Sequence, residues 1–184
     1  MTLPFPKPYA DFVARLRVPF GFILVIAFAA LSQPSPLSLI YGLPVSIVGL
    51  WIRAWAAGHL EKNMTLAESG PYAHVRNPLY IGTLLVAAGL VIASRRWILA
   101  AIFAAVFLLV YLPVIELEEQ HLRKLFPAYE TYARRVPALV PCWRPRGTRG
   151  RFLWKRYARN EEYQALAGFV AGALFLIARL YFRW

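Results

Sequence analysis

The chain has 184 residues and a single cysteine, Cys142, with no CxxC pair, so it can build neither a disulfide framework nor a thiolate zinc site. Histidine is almost as scarce. His59, His74 and His121 are scattered and never form HExxH, and the sequence implies no metal centre. No GxGxxG occurs, so a dinucleotide-binding Rossmann unit is not indicated. Acids are few: nine Asp and Glu stand against twenty-one Lys and Arg, a net charge of +12. The opening MTLPFPKPYADF carries three prolines and no apolar stretch ending in a cleavage site, so no removable leader is expected.

Apolar residues fill the space that these groups leave. They make up 59% of the chain, with a mean hydropathy of +0.49, whereas soluble domains sit nearer 45–50%. Runs at 18–31, 38–57, 79–93, 97–115 and 163–181 read as membrane helices, the second long enough to cross about 30 Å of hydrocarbon. Pro113 is placed to bend the end of the fourth run, and Asn160-Glu161-Glu162 reads as an N-cap with acids for the fifth. The expectation is an all-α polytopic membrane protein of about five spans and one domain.

Very short connectors, SQPSP and SRR, make antiparallel hairpins of the first and second runs and of the third and fourth. That geometry gathers the N-terminus, the loop 58–78 and the segment 116–160 on one face. Sixteen Lys and Arg lie there, against Arg95 and Arg96 on the other, joined by Arg179 and Arg183 if the last run spans rather than lies along the bilayer. By the positive-inside rule the sixteen face the cytoplasm, and a bacterial inner membrane is the expected location. The late run RPRGTRGRFLWKRYAR reads as a membrane-surface anchor, with Phe152, Leu153, Trp154 and Tyr157 entering the interface, rather than as a nucleic-acid site.

Two polar stretches on the basic face must therefore meet. GHLEKNMTLAESGPYAHVRNPLY contributes Tyr72, His74, Arg76 and Tyr80; ELEEQHLRKLFPAYETYARRVPALVP contributes Glu116, Glu118 and Glu119. Singly, each has an ordinary explanation: belt tyrosines, a snorkelling arginine, a solvated acidic helix face. Thr65 to Glu68 reads as a capping box for one short helical turn. Together, acids directly after a membrane helix run against the local charge trend, and ionisable groups with nameable partners at a membrane boundary mark a functional site.

The string G-P-Y-x-x-V-R-N-P-x-Y-x-G at 70–82, followed by E-E-x-x-L at 118–122 and Y-x-x-Y-x-x-x-V-P at 129–137, resembles the signature of the isoprenylcysteine carboxyl methyltransferases and their phospholipid methyltransferase superfamily. The upstream G-H-L-E-K at 58–62 is similar too, and the likeness covers about 51–141. Two departures stand out. Prenylcysteine-directed members usually read R-H-P where this chain has Arg76-Asn77-Pro78, and the usual F-G-x-x-Y is shortened to Phe126-Pro127-Ala128-Tyr129.

The resemblance implies a multi-span enzyme that uses S-adenosyl-L-methionine without a Rossmann domain. It divides the chain into a hairpin at 11–57, a cofactor-binding core at 58–141, and a basic interfacial segment with a last helix at 142–184. It places Leu60, Lys62, Tyr72, His74, Val75, Asn77, Pro78, Tyr80, Glu118 and Glu119 around the cofactor, with Arg76 and Glu119 in catalysis. A sulfonium cation and an amino group suit acids, and a carboxylate suits Arg76. The acceptor is a lipophilic or prenylated molecule, with membrane lipids as further partners, no nucleic acid, and no obligate protein partner evident. A carboxylate acceptor needs no base, whereas an amine requires a glutamate to take its proton. The alternatives are a phospholipid amine N-methyltransferase, an NADPH-dependent sterol-type reductase and a non-catalytic membrane scaffold.

Overall fold

The computed structural model describes residues 5–182. Helix α1 (Lys7–Leu31) contains Pro19, which has no N–H for the carbonyl one turn back, and the helix bends by 49° between Pro8–Leu16 and Val18–Leu31. Helix α2 (Pro36–Ala57) starts at a reciprocal cap in which the Ser35 and Ser38 hydroxyls each accept from the other's backbone N–H. Helix α3 (Pro78–Ser94) returns alongside it. The α4 helix (Trp97–Val106), a π turn (Phe107–Tyr111) and α5 (Leu112–Leu125) then form one 29-residue rod. Short α6 (Tyr129–Arg135) and α7 (Trp154–Arg159) precede α8 (Tyr163–Phe182). Among the described residues there is no strand.

Three helices, Pro36–Ala57, Trp97–Leu125 and Tyr163–Phe182, are long and apolar enough to cross a membrane, and bent α1 makes a fourth. The expected count of about five was approximate, and three or four helices meet the length. The run at 79–93 forms Pro78–Ser94, a shorter apolar helix held against α2. These helices leave Phe22, Ile26, Ile40, Ile47 and Leu174 more than half exposed, as side chains that meet lipid are.

The α2–α3 hairpin is closed by small residues. A Cβ on Gly49 would stand 2.6 Å from the Gly82 carbonyl oxygen and 2.7 Å from the Val86 nitrogen. Across the same seam the Ser46 hydroxyl donates to the Val86 carbonyl at 2.8 Å and the Ser38 hydroxyl to that of Ala93 at 2.8 Å. Backbones at this separation gain dispersion and interhelical hydrogen bonds that lipid cannot replace. Pro113 does disturb the fourth run, through a π turn just before it. With no N–H at Pro113, the Leu109 carbonyl accepts the Tyr9 hydroxyl at 2.7 Å, tying α1 to the rod. Val13, Val106 and Val110 form the core of that contact.

The two short connectors lie together, as expected. Gln33 donates its N–H to the Ser94 carbonyl at 2.9 Å, and Arg96 Nε reaches the Leu31 carbonyl at 3.0 Å. Arg179, near the far end of α8, donates to the Ala29 and Ala30 carbonyls at the same end of the bundle. Its first turn lies at the opposite end, where Glu162 meets Arg53. Helix α8 therefore runs the full height of the bundle.

Two local expectations are corrected. No helical turn forms over 65–68; the Glu68 carbonyl instead accepts from the Thr148 N–H at 3.0 Å. Asn160 does not cap α8, because Glu161 takes φ +55° and reverses the chain first. Its side-chain amide donates to the Ala57 and Leu60 carbonyls, both at 3.0 Å, and so satisfies groups at the end of α2.

Candidate functional site

Beyond α2, Gly70 at φ +60° opens a 3-10 turn (Gly70–Ala73) that buries Pro71, Tyr72 and Ala73. A side chain at Gly70 would collide with the His59 ring, whose Cε1 lies 2.8 Å from the Cβ position. The turn delivers Arg76 and Asn77 to the start of α3, where Pro78 occupies the first helical position. Opposite them, α5 presents Glu116, Glu118 and Glu119.

Arg76 and Glu119 form a two-pronged ion pair, Nε to Oε1 at 3.0 Å and Nη2 to Oε2 at 2.9 Å. Both side chains are about nine-tenths buried, at 8% and 10% exposure. Arg76 Nη1 also donates to the Ala133 and Val136 carbonyls, each at 2.8 Å, so four of its five N–H groups are engaged. Asn77 Nδ2 adds a bond to Glu119 Oε1 at 3.0 Å and one to the Ala138 carbonyl at 3.2 Å. Backbone bonds Arg76 N to Pro137 O (2.9 Å) and Asn77 N to Ala138 O (3.2 Å) complete the clasp. Burial alone lowers the Arg76 pKa, but the hydrogen bonds and charge of Glu119 outweigh it and hold the guanidinium above its usual range.

Below the clasp, Tyr129, Tyr132 and Val136 form a buried cluster against Leu66, Leu122 and Phe126. The Tyr132 hydroxyl donates to the Tyr72 carbonyl at 2.8 Å. Tyr72 is itself buried, and burial followed by the fields of Tyr132, Glu162 and Glu118 pushes its hydroxyl pKa far up, so it stays protonated. The Tyr80 ring meets the edge of Tyr111 at 6.2 Å between centroids. His74 Nδ1 lies 2.9 Å from the Cys142 carbonyl.

The structure thus brings Tyr72, His74, Val75, Arg76, Asn77, Pro78 and Glu119 into one cluster. Leu60 follows the end of α2, where its carbonyl accepts from Asn160, and Lys62 is exposed. Tyr80 lies one turn into α3, and Glu118 is exposed on α5. Glu116 Oε2 carries a different signal: it is buried and has no hydrogen-bond partner among the described residues, while its Oε1 takes a long 3.5 Å bond from Gln120. A buried carboxylate oxygen left in this state is a place for a cation or hydroxyl to bind. Among the described residues no three of His, Cys, Asp and Glu stand together as metal ligands.

A second ion pair escaped the sequence reading. Arg53, inside the apolar run of α2, meets Glu162 through two bonds of 2.9 Å and also donates to Thr83 and to the Leu79 carbonyl. Its signal was available, since a lone arginine in a membrane span demands a partner. Which acid supplies it depends on how α8 folds back.

Several apolar helices long enough to span, with an ion-paired polar cluster at one end of the bundle, fit an integral membrane protein. The sequence model of the phospholipid methyltransferase family matches residues 37–129, half of the chain, and the protein belongs to that family of membrane methyltransferases. It is 40% identical over 111 residues to the cobalt-zinc-cadmium resistance protein CzcN of Cupriavidus metallidurans, covering 58% of this chain and 50% of that one. It is 38% identical over 101 residues to the nickel-cobalt-cadmium resistance protein NccN of Alcaligenes xylosoxydans xylosoxydans, covering 54% and 46%. The chain spans about half the length of the curated relatives it matches. No solved structure matches it.

Proposed function

We propose that the protein methylates a lipophilic acceptor using S-adenosyl-L-methionine, at a site formed by the 70–80 loop and α5. The observation that carries this reading is the join itself: Arg76 and Asn77 are bonded into one buried unit with Glu119, 43 residues after Arg76, while Glu116, three positions earlier on α5, has a buried carboxylate oxygen with no partner among the described residues. The bound cofactor would supply an electrophilic methyl group on a sulfonium. The donor set fits it: Glu116 and Glu118 suit its cationic amino group and hydroxyls, and the backbone of the Gly70–Ala73 turn suits its carboxylate. Arg76 and Glu119, largely spent on one another, position the loop. The Tyr80–Tyr111 ring pair would serve as an aromatic wall that keeps water from the reacting centre.

The motif resemblance points to a carboxylate acceptor of the isoprenylcysteine type, which is already a nucleophile and asks only for alignment. One observation favours a second reading, a lipid amine: Arg76 has little left to offer a carboxylate, whereas Glu116 Oε2 is available to take the amine's proton. The relatives' names concern metal resistance and specify no methyl acceptor.

The test is calorimetry of S-adenosylhomocysteine with detergent-purified protein, NADPH as the parallel titrant and Glu116→Gln as the variant. Micromolar binding weakened by the variant supports the reading. Binding of NADPH alone moves the protein to a reductase, and silence from both leaves a scaffold. Radiolabelled methyl transfer to N-acetyl-S-farnesylcysteine or to phosphatidylethanolamine then separates the two acceptors.

A further inference from the structure

Between Cys142 and Arg159 the chain carries seven cations and no acid. Its backbone is bound inward. The N–H groups of Cys142, Arg146, Thr148 and Leu153 donate to the carbonyls of His74, Ala73, Glu68 and Gly58 at 2.8–3.0 Å. The segment is therefore a strap across the turn that holds the candidate site. Its fit is close: the Phe152 ring occupies the space a side chain at Gly58 would need, and Gly150 packs on Ser69. Phe152 also links His59 to Trp154, at centroid separations of 6.4 and 5.0 Å.

Apart from Phe152 and Arg156, most of its large side chains face the other way. Trp143 is 96% exposed and Trp154 75%, and Leu153 is also exposed. Of the cations, Arg156 pairs with Glu61 at 2.8 Å and Arg146 reaches a backbone carbonyl. Arg144, Arg149, Arg151, Lys155 and Arg159 are exposed and have no ion-pair partner among the described residues. The level is informative too. Leu153 is bonded to Gly58 and Asn160 to Ala57, so α7 lies at the end of α2 and directly before α8 begins. That is where headgroups lie if both helices span the bilayer.

We propose that the outer face of residues 142–159 docks on anionic lipid headgroups, and that this docking holds the strap closed over the turn. Guanidinium and ammonium groups meet the phosphates while Leu153 and Trp154 enter the headgroup boundary, each cation adding to the attraction. A neutral bilayer supplies the apolar contact without the charge, so the strap opens more often in it. The docking does not depend on the methyl-transfer reading, and its test does not use activity.

The experiment is hydrogen–deuterium exchange on the whole protein in nanodiscs of phosphatidylcholine alone or mixed equally with phosphatidylglycerol. It reads the four strap amides, Cys142, Arg146, Thr148 and Leu153. The expected result is exchange slower by about fivefold or more with the anionic lipid, and loss of that difference in the triple variant R149Q/R151Q/K155Q. These three side chains have no hydrogen-bond or ion-pair partner among the described residues, so the variant should keep the fold; unchanged exchange in the α2–α3 hairpin checks this. Equal exchange in the two lipids would overturn the proposal, as would full lipid protection of the triple variant. Protection by soluble heparin but not by phosphatidylglycerol would also overturn it, assigning the face to a soluble polyanion.

Discussion

Arg76 and Glu119, 43 positions apart, face each other through two parallel N–H···O bonds of 3.0 and 2.9 Å with both side chains about nine-tenths buried. One belongs to the loop before α3 and the other to α5. The pair therefore decides where the loop sits relative to the acids. Planar guanidinium against planar carboxylate also fixes orientation, which a lysine could not reproduce.

Removing either partner leaves a buried charge alone, at a cost of about 3–5 kcal/mol. Glu119→Ala and Arg76→Ala should each lower the apparent melting temperature in detergent and weaken S-adenosylhomocysteine binding. Arg76→Lys should keep more stability than Arg76→Ala yet lose binding, because the bonds to the Ala133 and Val136 carbonyls go with the fork. A Glu119→Ala protein that melts like the wild type would show that the clasp adds nothing to stability.

Gly49→Ala tests the hairpin. The added carbon would meet backbone atoms of Gly82 and Val86, which cannot move aside separately from α3. The helices must part, and overpacking of this kind costs about 1–3 kcal/mol. Gly168 has nothing within 4 Å of its Cβ position, so Gly168→Ala is the matched control and should leave the melting temperature unchanged or slightly raised.

Burial first, and the charge of Arg156 second, lower the pKa of His59 below its usual 6.5. The unfolded chain thus binds the proton more readily than the folded one. Stability is full above pH 6.5 and falls as pH drops through the window between 6.5 and the lower folded value. His59→Gln should flatten the pH dependence of melting over that window. An unaltered slope would show that other groups carry it.

Arg53→Ala leaves Glu162 buried without its cation, and a loss of about 3 kcal/mol is expected. Adding Glu162→Gln should recover part of it, since the amide needs no counter-charge. If the double variant is no more stable than Arg53→Ala, the two side chains are not coupled, and thermal melts of the two single variants and the double variant decide this.

Much of this architecture is legible in the residues. Composition and run length establish the apolar helices, because a bilayer accepts only segments that satisfy their own backbone. The short connectors force hairpins, and the hairpins bring 70–80 to 116–119 before any distance is measured. Pro113 was read as a disturbance, and a π turn lies just before it. At Asn160 and at Thr65 to Glu68 the local sequence points to caps that do not form. The Asn160 amide is bound instead to the end of α2, and the Glu68 carbonyl to the returning strap.

By itself the sequence determined which segments leave water, on which end the polar motifs gather, and which residue types meet there. Those follow from hydropathy, chain length and connector length, all local quantities. The tertiary structure alone decided that Arg76 takes Glu119 rather than Glu116 or Glu118, that Arg53 finds Glu162, and that 142–153 lies over the turn. The physical reason is rotation about helix axes. Neighbouring residues on a helix point about 100° apart, so which of three glutamates meets an arginine depends on how α3 and α5 pack.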